Sequence, residues 1–513
     1  MNLIKYMTVI FIVVIFQFNC ANNRNNPLKA QSVTATAPSC YECHGENTLS
    51  ANKMQWAQAG WAESVHANGL RAPIYGSYYD NAALVNVWYV AGYEWHGSDA
   101  FYSNGQGCQV CHTKEGFLKR INGDYGTVDW SSGSAYITAI NADSITNPSP
   151  LNCFTCHAPH ANQNFDLTVP PASTVVTQTG AIYNDTSSAT TAKTKGSQCA
   201  SCHQVRLSGF PTANDMILAN VKTANPTTGS SSLTSFASYW GPHHGPQTDV
   251  LLGKGGAEYA GLTYGKSKHS TEPEANCVNC HMADDFANLD PVLRYSLSPG
   301  VGGHSMNVAG IVHGAPAANK AGCTFQGCHD IASGQTVAGK VVGAFGAMPA
   351  GGYLPKGKAY VNKINGSGFT SAQHYAKMNG LLTIMADPAQ GCNGLLQDAL
   401  TAVSAGKTIT WQKMPDGTYA DTTKFFGPAC VHAGFSADIP ADTAATATSP
   451  ITRFAKALYN FKLVLEDKSM GIHNSTYEYQ LLYDSCTDLK TLPGITLSAA
   501  YDCTLAGTFA TRP

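Results

Sequence analysis

Cys199-Ala-Ser-Cys202-His203 is one of five copies of the pattern Cys-x-x-Cys-His in this chain of 513 residues. The other copies are Cys40-Tyr-Glu-Cys43-His44, Cys108-Gln-Val-Cys111-His112, Cys153-Phe-Thr-Cys156-His157 and Cys277-Val-Asn-Cys280-His281. In this pattern two thiols add to the vinyl groups of one haem, and the adjacent histidine ligates the iron. Cys and His each supply 17 of the 513 residues, so chance predicts only roughly 0.02 copies. We therefore predict a c-type haem at each of the five motifs.

A sixth, looser copy reads Cys323-Thr-Phe-Gln-Gly-Cys328-His329. On its own it would also fit a small disulfide loop beside an incidental histidine, but its spacer resembles variants found in multihaem cytochromes. Zinc and thiol redox chemistry are the alternatives for the whole set. A zinc site needs four N or S ligands and does not require His after every second Cys, and a redox Cys-x-x-Cys usually occurs once. The sequence thus predicts six covalently bound haem c groups.

Composition narrows the class of partner. Apolar residues make up 43% of the chain, charged residues only 12%, and the formal net charge is −2. This balance provides no basic surface for nucleic acid. Because each haem adds two propionates, we expect an acidic holoprotein that meets cationic or metal-bearing partners.

The N-terminus resembles an export signal. Lys5 precedes an unbroken apolar run at residues 9–16, which is too short to span a bilayer as a helix. Cys20 follows and suggests a lipid anchor, although the preceding Gln17-Phe18-Asn19 departs from a lipoprotein signal and simple cleavage nearby is the alternative. Residues 21–38 read as a flexible tether. We predict an exported protein: periplasmic, an outer-membrane lipoprotein, or extracellular.

The motif spacing predicts a mainly α fold with much irregular loop, few strands and a helical C-terminal segment. The motifs follow one another too closely for each haem to have its own protein core, so the porphyrins should be packed inside a wrapping chain. We divide the sequence into a signal, a tether, a six-haem cytochrome domain, a haem-free mixed region and a C-terminal helical segment that carries His473, at residues 1–20, 21–38, 39–334, 335–449 and 450–513.

Local signals in the haem-free part predict two helices and a strand. Ser449 and Pro450 form an N-cap and N1 pair for a helix that should end near Gly471. A second helix is predicted from Ser475, with Ser475-Thr-Tyr-Glu478 as a capping box. Residues 408–411 read as a strand, followed by a turn at Pro415-Asp416-Gly417. Four further cysteines predict two disulfides in three open pairings, namely Cys392, Cys430, Cys486 and Cys503.

Eleven histidines remain after the six motif histidines, which is enough to close all six irons. Their local contexts select the candidate distal ligands His66, His160, one of His243 and His244, His269, His304 and His473. The remaining four are interpreted as structural: His96, His313, His374 and His432. Of these, His313 is the main alternative as a distal ligand, because it precedes the sixth motif.

These contexts carry a resemblance to bacterial multihaem c-type cytochromes. They include Cys-His-x-Pro-His at His160, His-His-Gly-Pro-Gln at residues 243–247, Gly-His-Ser at His304 and Gly-Ile-His-Asn at His473. The setting of His473, between two helices, is similar to the C-terminal part of the cytochrome c nitrite reductase and octahaem families. The resemblance implies histidine at both axial positions of most haems.

The leading hypothesis is electron transfer along six bis-histidine haems, to or at the outer membrane, towards metal oxides, partner cytochromes or other extracellular acceptors. A homo-oligomer or filament is compatible with it. The alternative is an enzyme that reduces nitrite, hydroxylamine or a similar oxyanion at one open haem. The Cys-x-x-Cys-Lys motif typical of cytochrome c nitrite reductases is absent from the sequence, so no catalytic residue is predicted. A third hypothesis, compatible with the first, makes residues 335–513 an assembly module.

Overall fold

The computed structural model describes part of the chain. The described residues are 57–58, 60–61, 64, 66, 109–124, 151–158, 166–170, 173–185, 187, 193–207, 209–226, 228–235, 240–243, 245–283, 302–312, 315–318, 336–337, 340–341, 371–411, 413, 430, 432–495, 501–505 and 511–513. The predicted signal, the tether and the turn at residues 415–417 lie outside them.

Helices dominate this part of the chain. They are α1 Gln109–His112, α2 Lys114–Asn122, α3 Cys153–Cys156, α4 Ser197–Ala200, α5 Ala213–Lys222, α6 Ser232–Ser235, α7 Gln247–Leu251, α8 Lys268–Thr271, α9 Cys277–His281, α10 Ser371–Met385, α11 Leu395–Val403, α12 Pro450–Asp467 and α13 Ser475–Leu489. Short 3₁₀ turns occur at Gly303–Ser305 and Pro388–Gln390. The predicted mainly α fold is confirmed.

The strands form only two-stranded antiparallel pairs in the described ranges. The strands are β1 Val175–Val176, β2 Ile182–Tyr183, β3 Ala309–Val312, β4 Ala315–Ala318, β5 Thr336–Val337, β6 Lys340–Val341, β7 Ile409–Trp411 and β8 His432–Phe435. Each pair joins consecutive strands, and the register of β7 and β8 shifts between Thr410 and Trp411. The strand predicted at residues 408–411 is confirmed.

The long C-terminal helices begin where the sequence indicates, and the N-cap differs from the predicted one only at α13. Ser449 is the N-cap of α12 with Pro450 at N1, but the helix ends at Asp467 because Lys468 adopts a left-handed conformation (φ 60°). The N-cap of α13 is Asn474, so the capping box predicted from Ser475 is wrong. The Asn474 side chain accepts from Tyr477 N and also from Ser267 N at 2.9 Å, a tertiary bond that moves the cap one residue earlier.

A protein core exists beside the predicted haem packing. It combines residues that follow the fourth motif, such as Val205 and Ile217, with buried side chains from α10 to α13, such as Leu381, Leu396 and Phe461. Burial of these apolar surfaces stabilises the fold by about 25 cal/mol per Å². The sequence pattern does not predict α10 and α11, which carry much of this core.

Polar bonds fasten residues 255–258 onto the helices. Buried Asn460 of α12 accepts from Ala257 N and donates to Ala257 O, at 2.8 and 3.1 Å. Tyr477 of α13 accepts from Gly256 N at 3.0 Å and donates to Glu258 Oε1 at 2.9 Å. A Cβ on Gly256 would lie 2.5 Å from Leu481 Cδ1, so glycine permits this close approach. The loop leads directly to α8 and the fifth motif, which it places against the C-terminal helices.

Two disulfides join Cys392 to Cys430 and Cys486 to Cys503. The prediction of two disulfides is confirmed, and the structure selects one of the three pairings. None of the described helices is long and apolar enough to cross a membrane.

Candidate haem centres

The described motif cysteines lie on one-turn helices or directly after one. α3 and α9 contain both cysteines of their motifs, one helical turn apart, with the histidine at or just beyond the helix end. α4 contains Cys199 and ends two residues before Cys202, and α1 contains Cys111 and His112. Residues three apart share one face of a helix, which is the arrangement needed for two thiols to reach one porphyrin. Asparagine caps begin two of these turns: Asn152 accepts from Phe154 N at 2.9 Å, and Asn276 accepts from Asn279 N at 3.0 Å.

Three motif histidines face histidines from distant parts of the chain. The ring centroids are 5.8 Å apart for His203 and His66. They are 6.1 Å apart for His157 and His304, and 6.2 Å for His281 and His473. Two imidazoles on opposite sides of one metal, with metal–nitrogen bonds of about 2 Å, have centroids separated by about 6 Å. The three pairs therefore fit a six-coordinate haem iron.

Hydrogen bonds at Nδ1 orient three of these rings. His203 Nδ1 is 2.9 Å from Gln247 Oε1, and His281 Nδ1 is 3.0 Å from the Met306 carbonyl oxygen. His473 Nδ1 is 2.7 Å from Asp467 Oδ1. An acceptor at Nδ1 fixes the proton there and leaves the Nε2 lone pair for a metal. These partners favour the tautomer that ligation requires.

Burial keeps most of these imidazoles neutral, which metal ligation also requires. It lowers the pKa of His66 to about 4, aided by His203 and His281. It likewise lowers the pKa of His281 to about 4, with a further contribution from His473. Burial is also the main cause that lowers the pKa values of His203 and His304. His473 differs: burial opposes its charged form, but the Asp467 carboxylate raises its pKa.

The fourth motif contacts the second through Arg120 of α2. Its guanidinium donates to the carbonyl of Ser201, between the two cysteines of the fourth motif, at 2.6 Å, and lies 3.6 Å from Cys111 Sγ. Cys202 of the fourth motif also lies within hydrogen-bonding distance of Cys111.

The fourth motif also contacts the fifth. Tyr183 donates to Lys195 O at 2.7 Å and lies 3.5 Å from Cys277 Sγ. Cys199 and Cys277 also lie within hydrogen-bonding distance of each other. The second, fourth and fifth motifs therefore form one continuous cluster.

One short loop serves the third and fifth motifs together. The 3₁₀ turn at Gly303–Ser305 presents His304 to His157. Met306 follows in a left-handed conformation (φ 56°), and its carbonyl oxygen accepts a hydrogen bond from His281 Nδ1. Ser305 Oγ donates to Gly302 O at 2.7 Å and stabilises the turn.

The predicted site residues divide into three groups. Three candidate distal ligands lie opposite described motif histidines: His66, His304 and His473. His269 Nδ1 bonds to the carbonyl of Ile472, and His243 has a left-handed backbone conformation (φ 69°). The remaining candidates lie outside the described residues or have side chains that are not described: Cys20, Cys40, Cys43, His44, Cys108, His112, His160, His244, Cys323, Cys328 and His329.

The sequence does not identify the residues that orient the candidate ligands. Gln247 belongs to the His-His-Gly-Pro-Gln stretch, whose sequence signal points only to its histidines, and its role follows from its contact with His203. Asp467 and Met306 carry no local signal, because their partners His473 and His281 meet them only in the folded chain.

Comparison with known proteins supports haem chemistry. Residues 14–211 match a family described as outer membrane cytochrome MtrC/MtrF-like, domains II/IV. The matched stretch is less than half of the chain and contains the first four motifs. It supports a multihaem c-type cytochrome. Neither the curated proteins nor the solved structures contain a match to the chain.

Proposed function

We propose that this chain is an exported multihaem c-type cytochrome that carries electrons at the outer membrane to extracellular acceptors. The family match supports this class, since it is to an outer membrane cytochrome. When bound, c-type haem supplies a reversible iron couple that takes up and releases single electrons. The protein supplies covalent attachment, axial ligands and their hydrogen-bonded partners.

The single observation that carries the proposal is the set of three histidine pairs. His66 with His203, His157 with His304, and His281 with His473 each have the separation of two ligands on one iron. An iron held from both sides has no position for a substrate, so the residues favour electron transfer over catalysis. By extension we propose six haems, with His160, one of His243 and His244, and His269 as the remaining distal ligands.

The proposal also covers the location and the partners of the protein. We propose that the chain is lipid-anchored through Cys20 or released outside the cell, and that its partners are other cytochromes, metal oxides or copies of itself. The proposed reduction of nitrite or hydroxylamine is not favoured. The histidine that most resembled the nitrite reductase setting, His473, lies opposite a motif histidine, and this pairing would close the iron.

Electron paramagnetic resonance of the oxidised holoprotein tests the proposal. We expect only low-spin ferric haem, unchanged by cyanide or nitrite, together with six haem masses on the mature chain by mass spectrometry. A substantial high-spin signal that shifts with either ligand would contradict electron transfer as the sole role. Five haem masses would reject the sixth motif and leave the rest of the proposal intact.

A further inference from the structure

The C-terminal end of α12 contacts the ligands of two neighbouring centres. Asp467, the last residue of the helix, has a fully buried side chain and bonds to His473 Nδ1 at 2.7 Å. The backbone carbonyls of Glu466 and Asp467 accept from Gln247 Nε2 at 3.1 and 3.3 Å. These carbonyls belong to the last helical turn, where backbone acceptors lack intrahelical donors. One helix end is therefore linked to both His473 and His203.

The orientation of Gln247 is determined by these bonds. Its amide NH₂ is committed to two carbonyls, which can only accept, so its Oε1 must face His203. An oxygen at that position requires a proton on His203 Nδ1, so Nε2 becomes the unprotonated ligand atom. Gly245 lies beside both groups in a backbone conformation (φ +95°) that favours glycine: a Cβ there would be in ordinary contact with Gln247 Oε1 at 3.5 Å and His203 Nδ1 at 3.7 Å.

Backbone geometry brings His473 back to Asp467. Lys468, Met470 and Gly471 all have positive φ, at 60°, 52° and 91°, and they turn the chain tightly after the helix. Ser469 N donates to Asp467 Oδ2 at 3.3 Å, and His473 N donates to Ser469 Oγ at 3.1 Å. The carboxylate is therefore held in place by the same turn that positions the ligand.

The acceptors differ in charge. Asp467 offers His473 a carboxylate, whereas Gln247 offers His203 a neutral amide oxygen. A charged acceptor forms the stronger hydrogen bond and increases the electron-donating power of the imidazole. A more basic ligand stabilises ferric over ferrous iron, so the reduction potential falls.

We propose that Asp467 and Gln247 are positioning residues that fix the tautomers of His473 and His203, and that the charge of Asp467 lowers the potential of the haem held by His473. This rests on the proposed function, because it assumes that both histidines are haem ligands. It extends that function, because the different charges of the two acceptors would give two neighbouring haems different reduction potentials.

Potentiometric titration of the holoprotein, followed by low-spin electron paramagnetic resonance signals, tests the proposal. Asp467→Asn keeps the shape and removes the charge. We expect one haem to become easier to reduce by on the order of tenfold, or about 59 mV for one electron, with haem number and spin state unchanged. Gln247→Glu should move one haem in the opposite direction. Asp398→Asn is the matched control, since Asp398 accepts from Tyr501 and not from a candidate ligand, and it should move none.

The same substitution in a second variant protein separates an effect transmitted through His473 from a general effect on the haem potentials. In a His473→Ala protein the Asp467→Asn change should no longer shift any low-spin haem, because the ligand that transmits the charge is gone. Unshifted potentials in a low-spin Asp467→Asn protein would overturn the inference. If that variant fails to incorporate haem, Gln247→Glu decides, and an unshifted titration overturns it equally. A high-spin wild-type protein would instead refute the proposed function, so the two failures are distinguishable.

Discussion

At the scale of single residues, the local setting of a histidine says more about its role than about its partner. His66, His304 and His473 were selected from short contexts, and each lies opposite a motif histidine. Their partners lie far away in sequence, where no local pattern could identify them. His66 is also stacked on Trp61, with ring planes only 12° apart, a contact that limits its rotation and favours a fixed ligand.

Replacing a distal histidine should open one iron. We expect His66→Ala, His304→Ala and His473→Ala each to convert one low-spin haem to a high-spin haem that binds cyanide, because alanine supplies no ligand. Electron paramagnetic resonance with spin quantitation measures the change, and any two substitutions together should give two high-spin haems. His374→Ala, on α10, is the control, since His374 is interpreted as structural, and it should leave every haem low-spin. A variant at His66, His304 or His473 that stays fully low-spin would remove that residue from the ligand set.

At the scale of secondary-structure elements, the sequence predicts the helices and strands that are specified by local sequence signals. The motif turns, the start of α12 and the strand at β7 follow from the attachment motif, a Ser-Pro pair and β propensity. The cap of α13 was misplaced by one residue because Asn474 also binds the Ser267 backbone. The hairpin of β1 and β2 was not foreseen, since it is held by buried Asp249, which accepts from Thr177 Oγ1 at 2.6 Å and Val205 N at 2.7 Å. Such bonds depend on the tertiary fold.

The disulfides offer a prediction at this scale, because they join elements of the C-terminal part of the chain. Cys392 precedes α11 and Cys430 precedes β8, with 38 residues of separation, whereas Cys486 on α13 and Cys503 are 17 apart. Loop closure predicts that Cys392→Ala with Cys430→Ala costs about 4 kcal/mol of unfolding free energy, and the shorter pair about 3 kcal/mol. Chemical denaturation of the holoprotein measures both. If the shorter loop proved the more costly to open, chain entropy would not be the main source of stabilisation.

At the scale of the whole molecule, residues that follow the fourth motif and the C-terminal helices share one core. Trp240 precedes the His-His-Gly-Pro-Gln stretch, and its ring packs edge-on against Tyr459 of α12 at 6.2 Å. Lys462, one turn further along the same helix, is buried and donates to the Trp240 carbonyl. Its aliphatic stem lies against Gly241 (φ +127°), where a Cβ would approach Lys462 Cδ to 3.3 Å. A buried cation therefore joins the C-terminal helix to the loop beside His203.

This buried cation makes stability depend on pH. Burial lowers the pKa of Lys462 to about 8, against about 10.4 for an unfolded lysine. Between these values the unfolded chain binds more protons than the native chain, so the unfolding free energy rises with pH across this window and the cost of burying the cation is fully present below about pH 8. Linkage over this interval amounts to about 3 kcal/mol. Lys462→Met removes the titrating group and should flatten this part of the profile.

Denaturation of the holoprotein at a series of pH values from 7 to 10.5 provides the measurement. Other groups also titrate in this pH range, so the informative quantity is the difference in unfolding free energy between wild type and Lys462→Met. As pH rises, wild type should gain stability relative to Lys462→Met. Lys222→Met, at an exposed position at the end of α5, is the matched control and should run parallel to wild type. If Lys462→Met also ran parallel, the lysine would be charged in the native core throughout. The Trp240 carbonyl would then compensate its desolvation, and the joint between the two parts of the molecule would be insensitive to pH.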